Sequence, residues 1–297
     1  MPTTSALCLA SALHFVQFII VVILTASGHT NTGTFPVTRP HLVFTPGPGN
    51  TPFQGNYTVT QTTAQLYNFD VRIAIGSFFA MSCLFQALEG VVLLVLPGAD
   101  ERPTLKVSSR LLKLRLDTGA GITEPETASN LVAMARLRLL EYSVSASIML
   151  VTLGHECTVS DIYTDIFIFL CTWACMMFGI FADVVAAIPD LHDPVLSLFG
   201  PVWLLPHLMG WLMMFAAWGP IFGMFYTASG PEGHNPPDWV RGLLWGELVV
   251  FSSFGAVQFF SLSKWIDAYT TEVVYMVLSI TAKTVLAWVI LTPAFIK

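Results

Sequence analysis

The chain has 297 residues, of which 54% are hydrophobic and only 11% charged, with a formal net charge of −6 and a mean hydropathy of +0.68. A water-soluble domain carries about 25% charged residues, so this chain cannot clothe a water-facing surface, whereas lipid removes that need. The acidic balance argues against a nucleic-acid partner, which needs a clustered basic face; the class is a polytopic α-helical membrane protein.

Apolar runs occur at roughly 7–27, 71–96, 129–154, 162–188, 196–226, 239–262 and 270–295. Each is long enough for a spanning helix of about 20 residues, so the expected architecture is one seven-helix membrane domain over residues 1–297. The first run follows Met1 closely, but it lacks a basic leader and is long enough to span, so it reads as a membrane helix rather than a signal peptide. Pro189 and Pro194 bracket the turn between the fourth and fifth runs.

Two connections are long. Residues 28–69 are rich in Thr, Gly, Pro and Asn, with strand-like alternation around Tyr57–Thr60, which suggests a short β-hairpin. Residues 98–128 carry Arg102, Lys106, Arg110, Lys113 and Arg115; with Arg136, Arg138 and Lys264 these fall on one side of a seven-span protein. The opposite side holds Arg39, Arg72, Arg241 and Lys297. The positive-inside rule therefore places the N-terminus in the cytoplasm and the C-terminus outside, which puts the glycosylation pattern at Asn56 outside as well.

Ionisable groups at bilayer depth are costly and point to function. Lys283 sits deep in the seventh run, too far from either end for its stem to snorkel fully. A lysine there is either paired structurally with a carboxylate or serves as a Schiff-base nucleophile made reactive by desolvation. Glu141, central in the third run, is the candidate counter-charge, although Arg138 one turn earlier offers it a local partner at i,i+3. Ser279 lies one turn before Lys283, and Ser145 one turn after Glu141. Glu89 and Asp183 lie near the ends of their runs, where interfacial solvation is the competing reading; Glu247 lies further in. These acids are candidates for a proton path. Trp211, Trp218, Phe251 and Phe254 recur at helical spacing and offer walls for a flat polyene. His155-Glu156-Cys157 lacks metal-ligand spacing, so no metal is expected. The five cysteines, Cys8, Cys83, Cys157, Cys171 and Cys175, read as small apolar residues rather than a disulfide framework.

At these residues the chain resembles the heliorhodopsins, a retinal-binding seven-helix family. Leu13-His14 with Gln17 is similar to the family's LHxxQ, and Phe78-Phe79-Ala80-Met81-Ser82 to its FFxLS. The segment from Glu141 through Tyr142, Ser143, Ser145 and Ser147 to Met149 is similar to EYSxSxSxM. Glu272, Tyr275, Leu278-Ser279, Ala282-Lys283 and Leu286-Ala287-Trp288 follow the pattern ExxYxxLSxxAKxxLAW. The resemblance implies all-trans-retinal bound covalently at Lys283, Glu141 as sole counterion, and Ser82 and Ser279 hydrogen-bonded around the Schiff base. It also implies an inverted orientation, a homodimer, a hairpin in the first extracellular connection, and light sensing through a slow photocycle with an unnamed signalling partner. His14 would lie in a polar cavity. Two departures stand out: Gln86 occupies the place of a family histidine there, and Asp183 that of a family glutamate. The rival readings are a light-gated proton channel or transporter using the intramembrane acids, and a membrane enzyme or receptor without chromophore. No nucleophile constellation supports an enzyme.

Overall fold

The computed structural model describes residues 4–27, 34–46, 57–95, 126–186, 201–228 and 236–292. Seven helices appear among them: α1 (Thr4–Ala26), α2 (Val71–Val95), α3 (Glu126–Glu156), α4 (Ile162–Ala186), α5 (Leu204–Ala228), α6 (Asp238–Leu262) and α7 (Ala268–Leu291). Between α1 and α2 runs an antiparallel hairpin, β1 (Thr34–Pro46) and β2 (Tyr57–Asp70). Neighbouring helices pack in chain order from α1 to α5, α6 packs on α7, and α7 closes against α1, α2 and α3.

Six of the seven helices are long and apolar enough to cross a membrane; α3 is not among them. That differs from the sequence expectation of seven apolar spans. The reason is local: α3 carries Glu141, Ser143, Ser145 and Ser147 on faces that turn inward, where all four are buried. Its polarity is spent inside the bundle rather than shown to lipid. The bundle's outward faces are apolar, with Ile73, Leu84, Leu205 and Val249 all well exposed. A surface of that kind belongs in a bilayer, and the chain is an integral membrane protein.

The fifth helix begins at Leu204, not near residue 196. Residues 201–203 form a turn in which Leu204 N–H donates to Pro201 O at 2.8 Å, and Pro201 lacks the N–H that helix continuation would use. Asp161 and Asp267 cap α4 and α7, each accepting from a backbone N–H three residues on, Thr164 at 3.0 Å and Thr270 at 3.1 Å. The Pro189–Pro194 turn, Asn56 and the basic residues of 98–115 lie outside the described residues.

The hairpin is longer than the sequence suggests, and it is docked on the bundle. Thr38 donates through both N–H and hydroxyl to Ser160 O, at 2.7 and 3.1 Å. His155, at the end of α3, lies against Phe35 and Phe69 with ring centroids 5.7 and 4.4 Å away. Its Nε2 lies 3.4 Å from Asp165 of α4. At the β2–α2 junction the Arg72 guanidinium holds the Asp70 carboxyl below the usual carboxylate range. The polar surface of the hairpin thus gains a rigid seat on the α3–α4 turn.

Candidate functional site

Three helices bring three polar side chains to one buried point. Lys283 (α7) is 2% exposed, and its Nζ donates to Glu141 Oε1 (α3) at 2.5 Å. Ser82 (α2) donates to the same oxygen at 2.6 Å and accepts from Lys283 Nζ. Lys283 lies just past the middle of α7, and neighbouring helices seal it. Burying two charges costs several kcal/mol per ion, which only close pairing and further hydrogen bonds offset. Ser82 supplies one such bond.

Arg138, the local rival for Glu141, turns elsewhere. It is buried rather than interfacial, at 4% exposure, and pairs with Glu89 of α2 at 3.3 Å and with Glu272 of α7. Glu89 is itself 1% exposed, so it is not a solvated end residue. With its guanidinium engaged by two carboxylates, Arg138 leaves Glu141 to Lys283. The alternative i,i+3 pairing that the sequence left open gives way because α2 and α7 offer Arg138 better-placed partners.

A small apolar cavity lies beside Lys283, bounded among others by Tyr142, Ser145, Met149 and Ser279. Phe251, Phe254 and Met176 line both it and a larger cavity, which Trp211, Trp218 and Gly255 also line. Lys283 Nζ stands 5.2 Å from the Tyr142 ring centroid, and the Tyr142 hydroxyl donates to Tyr275 O at 3.2 Å. Among the described residues the Ser145 hydroxyl is buried without a hydrogen-bond partner, and the Ser279 side chain faces the Tyr142 hydroxyl rather than the Lys283–Glu141 pair.

Both cavities are lined mainly by apolar and aromatic side chains. Glycine shapes the second one: a Cβ on Gly255 would lie 2.7 Å from the Trp211 ring. Gly255→Ala therefore forces the indole to move, with an expected stability loss of about 1–3 kcal/mol, measurable as a lowered thermal midpoint. The lining sets an amine, Lys283, at one end and aromatic walls beyond, the donor chemistry that an apolar aldehyde would need.

His14 and Gln86 are buried, His14 beside the Phe79 ring at 5.9 Å, with polar atoms lacking partners among the described residues. Asp183 does not join them by any hydrogen bond. It bonds instead to Gln258 of α6 at 3.2 Å. Glu247 is 1% exposed, and neither carboxyl oxygen has a hydrogen-bond partner among the described residues. Among the described residues the acids therefore form no continuous hydrogen-bonded line. Glu272, His207 and Gln258 carried no role in the sequence reading; a lone amide inside the apolar Phe254–Phe260 stretch is the signal that could have found Gln258.

The family model of heliorhodopsins matches residues 128–295, more than half of the chain and all the helices from α3 onward. The chain belongs to the heliorhodopsin family. The motifs in α1 and α2 lie before the matched region, yet Ser82 from α2 meets the matched Glu141 and Lys283 in space. Two solved structures share the heliorhodopsin's fold at low identity. One is the transmembrane domain of the Salpingoeca rosetta rhodopsin phosphodiesterase, 15% identical with a TM-score of 0.51, covering 76% of this chain and 72% of that one. The other is the light-driven proton pump LR (Mac) from Leptosphaeria maculans, 11% identical with a TM-score of 0.54, covering 96% and 95%. No curated protein matches the chain.

Proposed function

We propose that this heliorhodopsin is a photoreceptor that carries all-trans-retinal on Lys283 as a protonated Schiff base, with Glu141 as counterion. The observation that carries the reading is the sealed Lys283–Glu141 pair at 2.5 Å, opening on an apolar cavity. When bound, retinal supplies light absorption and photoisomerisation from all-trans to 13-cis. The protein's residues do the rest. Lys283 Nζ provides the attachment point, Glu141 neutralises its positive charge, and Ser82 fixes the carboxylate's orientation. The Met149, Phe251 and Phe254 walls exclude water, so displacement of the charge from Glu141 strains the bundle rather than being screened by solvent. Relaxation of that strain is the signal offered to a partner, without catalytic turnover.

A visible spectrum recorded after adding all-trans-retinal tests the reading. A visible band is expected, and Glu141→Gln should move it to the red. Removing the adjacent negative charge lets the positive charge spread from the nitrogen along the polyene. A band at the wild-type position in Glu141→Gln would place the counter-charge on another residue.

Basic-residue placement supports a cytoplasmic N-terminus and an outward-facing hairpin, and the family resemblance supports a homodimer in the bilayer. Proteolysis of sealed vesicles and crosslinking in the membrane test these two points. A light-gated proton conductor is the second reading. It is favoured by one observation: Glu247, a buried carboxyl whose oxygens lack partners among the described residues. Photocurrent under voltage clamp separates the two, since current abolished by Glu247→Gln supports the conductor and none at any potential excludes it.

A further inference from the structure

Where α3 ends and α4 begins, a buried pair of titratable side chains lies outside the Lys283–Glu141 centre. His155 is 1% exposed and Asp165, in the first turn of α4, is 6% exposed. His155 Nε2 lies 3.4 Å from Asp165 Oδ2. Among the described residues no other cation pairs with Asp165, and neither His155 nitrogen nor Asp165 Oδ1 has a hydrogen-bond partner. The hairpin roofs this pair. Phe35 and Phe69 stand opposite each other in the β1–β2 register. Both rings stack on the imidazole, with centroids 5.7 and 4.4 Å away. The two bonds from Thr38 to Ser160 O, at 2.7 and 3.1 Å, complete the seat.

We propose that His155 and Asp165 form a pH-sensitive latch, which clamps the β1–β2 hairpin to the α3–α4 turn when the imidazole is protonated and loosens it when the imidazole is neutral. The surroundings suit the charged ring. A neutral imidazole leaves Asp165 as a buried carboxylate without a counter-charge, an arrangement that folding penalises heavily. An imidazolium pairs with Asp165 and presents its charge to two aromatic faces, whose electron-rich surfaces attract it. This pairing is present while the ring is charged and is lost as the pH rises through its titration. The clamp therefore holds in mild acid and slackens in base. What slackens is the hairpin, because the ring contacts of Phe35 and Phe69 with α3 are both made on this imidazole. The same helix carries Glu141 about four turns earlier, so the latch sits at the end of the element that holds the candidate counterion.

Each element around the latch brings its own titratable groups. On α3, Glu156 follows His155 and is pushed up to about 7 by burial, so it titrates in the same range. At the start of α4, Asp161 is engaged as the cap, accepting from Thr164 N–H at 3.0 Å. On β2, burial and the Asp165 charge both raise the Tyr67 phenol, which therefore stays neutral. At the foot of β2, the Arg72 guanidinium holds Asp70 below the usual carboxylate range, so Asp70 stays charged. On β1, His41 is exposed and its Nε2 lies 2.8 Å from the Thr62 hydroxyl. Glu156 and His41 are thus the groups whose titration must be told apart from that of His155. The latch involves no chromophore, so its test is independent of the proposed function.

Hydrogen exchange of the hairpin amides, measured in lipid bilayers from about pH 5.5 to about pH 8.5 and corrected for the intrinsic rate at each pH, reads the clamp. Solid-state ¹⁵N NMR of the histidine-labelled protein, assigned by difference from His155→Phe, reads the charge on His155 across the same series. In the wild type, protection of the Thr38 amide and its β1 neighbours should fall by about tenfold as the ring loses its charge. His155→Phe keeps an aromatic ring in the stack but no charge, so its protection should not change with pH. The near-isosteric Asp165→Asn removes the anion and should flatten the profile too, whereas Glu156→Gln and His41→Gln should retain the fall. Protection that stays constant while His155 deprotonates overturns the proposal, as does a fall that persists in His155→Phe or Asp165→Asn. A His155 ring that keeps one charge state throughout the series overturns it equally.

Discussion

Under the proposed function, replacing Lys283 by alanine should abolish the visible band expected when all-trans-retinal is added to the wild-type protein. Lys283 is the buried amine at the cavity beside Glu141, and an alanine methyl cannot form the covalent link. The substitution also strands Glu141 as an unpaired buried charge, at a cost of about 3–5 kcal/mol. Loss of colour could then report loss of fold. The double substitution Lys283→Ala with Glu141→Gln separates the two effects. It removes the orphan charge, so thermal stability should recover while the band stays absent. A band surviving in either protein would place the attachment elsewhere. A double variant no more stable than Lys283→Ala would mean that Glu141 is compensated by another group.

Arg138→Met should be the most destabilising substitution outside the chromophore site, by about 3–5 kcal/mol. Arg138 is the cation between Glu89 of α2 and Glu272 of α7, and its removal leaves two buried carboxylates facing each other. Methionine keeps much of the side chain's bulk, so the loss measures charge rather than packing. Thermal unfolding in lipid checks it, and the triple substitution Arg138→Met, Glu89→Gln, Glu272→Gln should recover most of the loss. A single variant as stable as wild type would show that the cluster contributes no net pairing energy. Freed of its partners, Glu89 also adds negative charge beside Lys283, so the visible band should shift in Arg138→Met even where the fold survives.

The membrane class, the helix count and the position of the hairpin were legible in the sequence because each rests on local signals. Apolar run length fixes a spanning helix regardless of its neighbours, and turn-rich alternation between α1 and α2 marks strands. Lys283 and Glu141 were legible for the same reason: a charge within an apolar run is anomalous wherever the run finally packs. The α5 boundary was not legible, because a proline turn can sit beside an apolar stretch without interrupting its hydropathy.

Which charge meets which was settled only in three dimensions. In sequence Glu141 and Arg138 are one turn apart and invite each other, while Glu89, Glu272 and Ser82 lie on other helices. Packing of α2 and α7 against α3 gives Arg138 two carboxylates and gives Glu141 the lysine and a serine hydroxyl. Gln258 and His207 are a further case. Each is an ordinary polar residue in its own helix; packing brings Gln258 of α6 to Gly179 and Asp183 of α4, while His207 accepts from Trp211 within α5. The sequence alone determined that a buried lysine and a buried acid exist in a seven-helix membrane bundle. The tertiary structure decided that they pair, since at bilayer depth a charge takes the partner that packing brings within hydrogen-bond reach, whatever its distance along the chain.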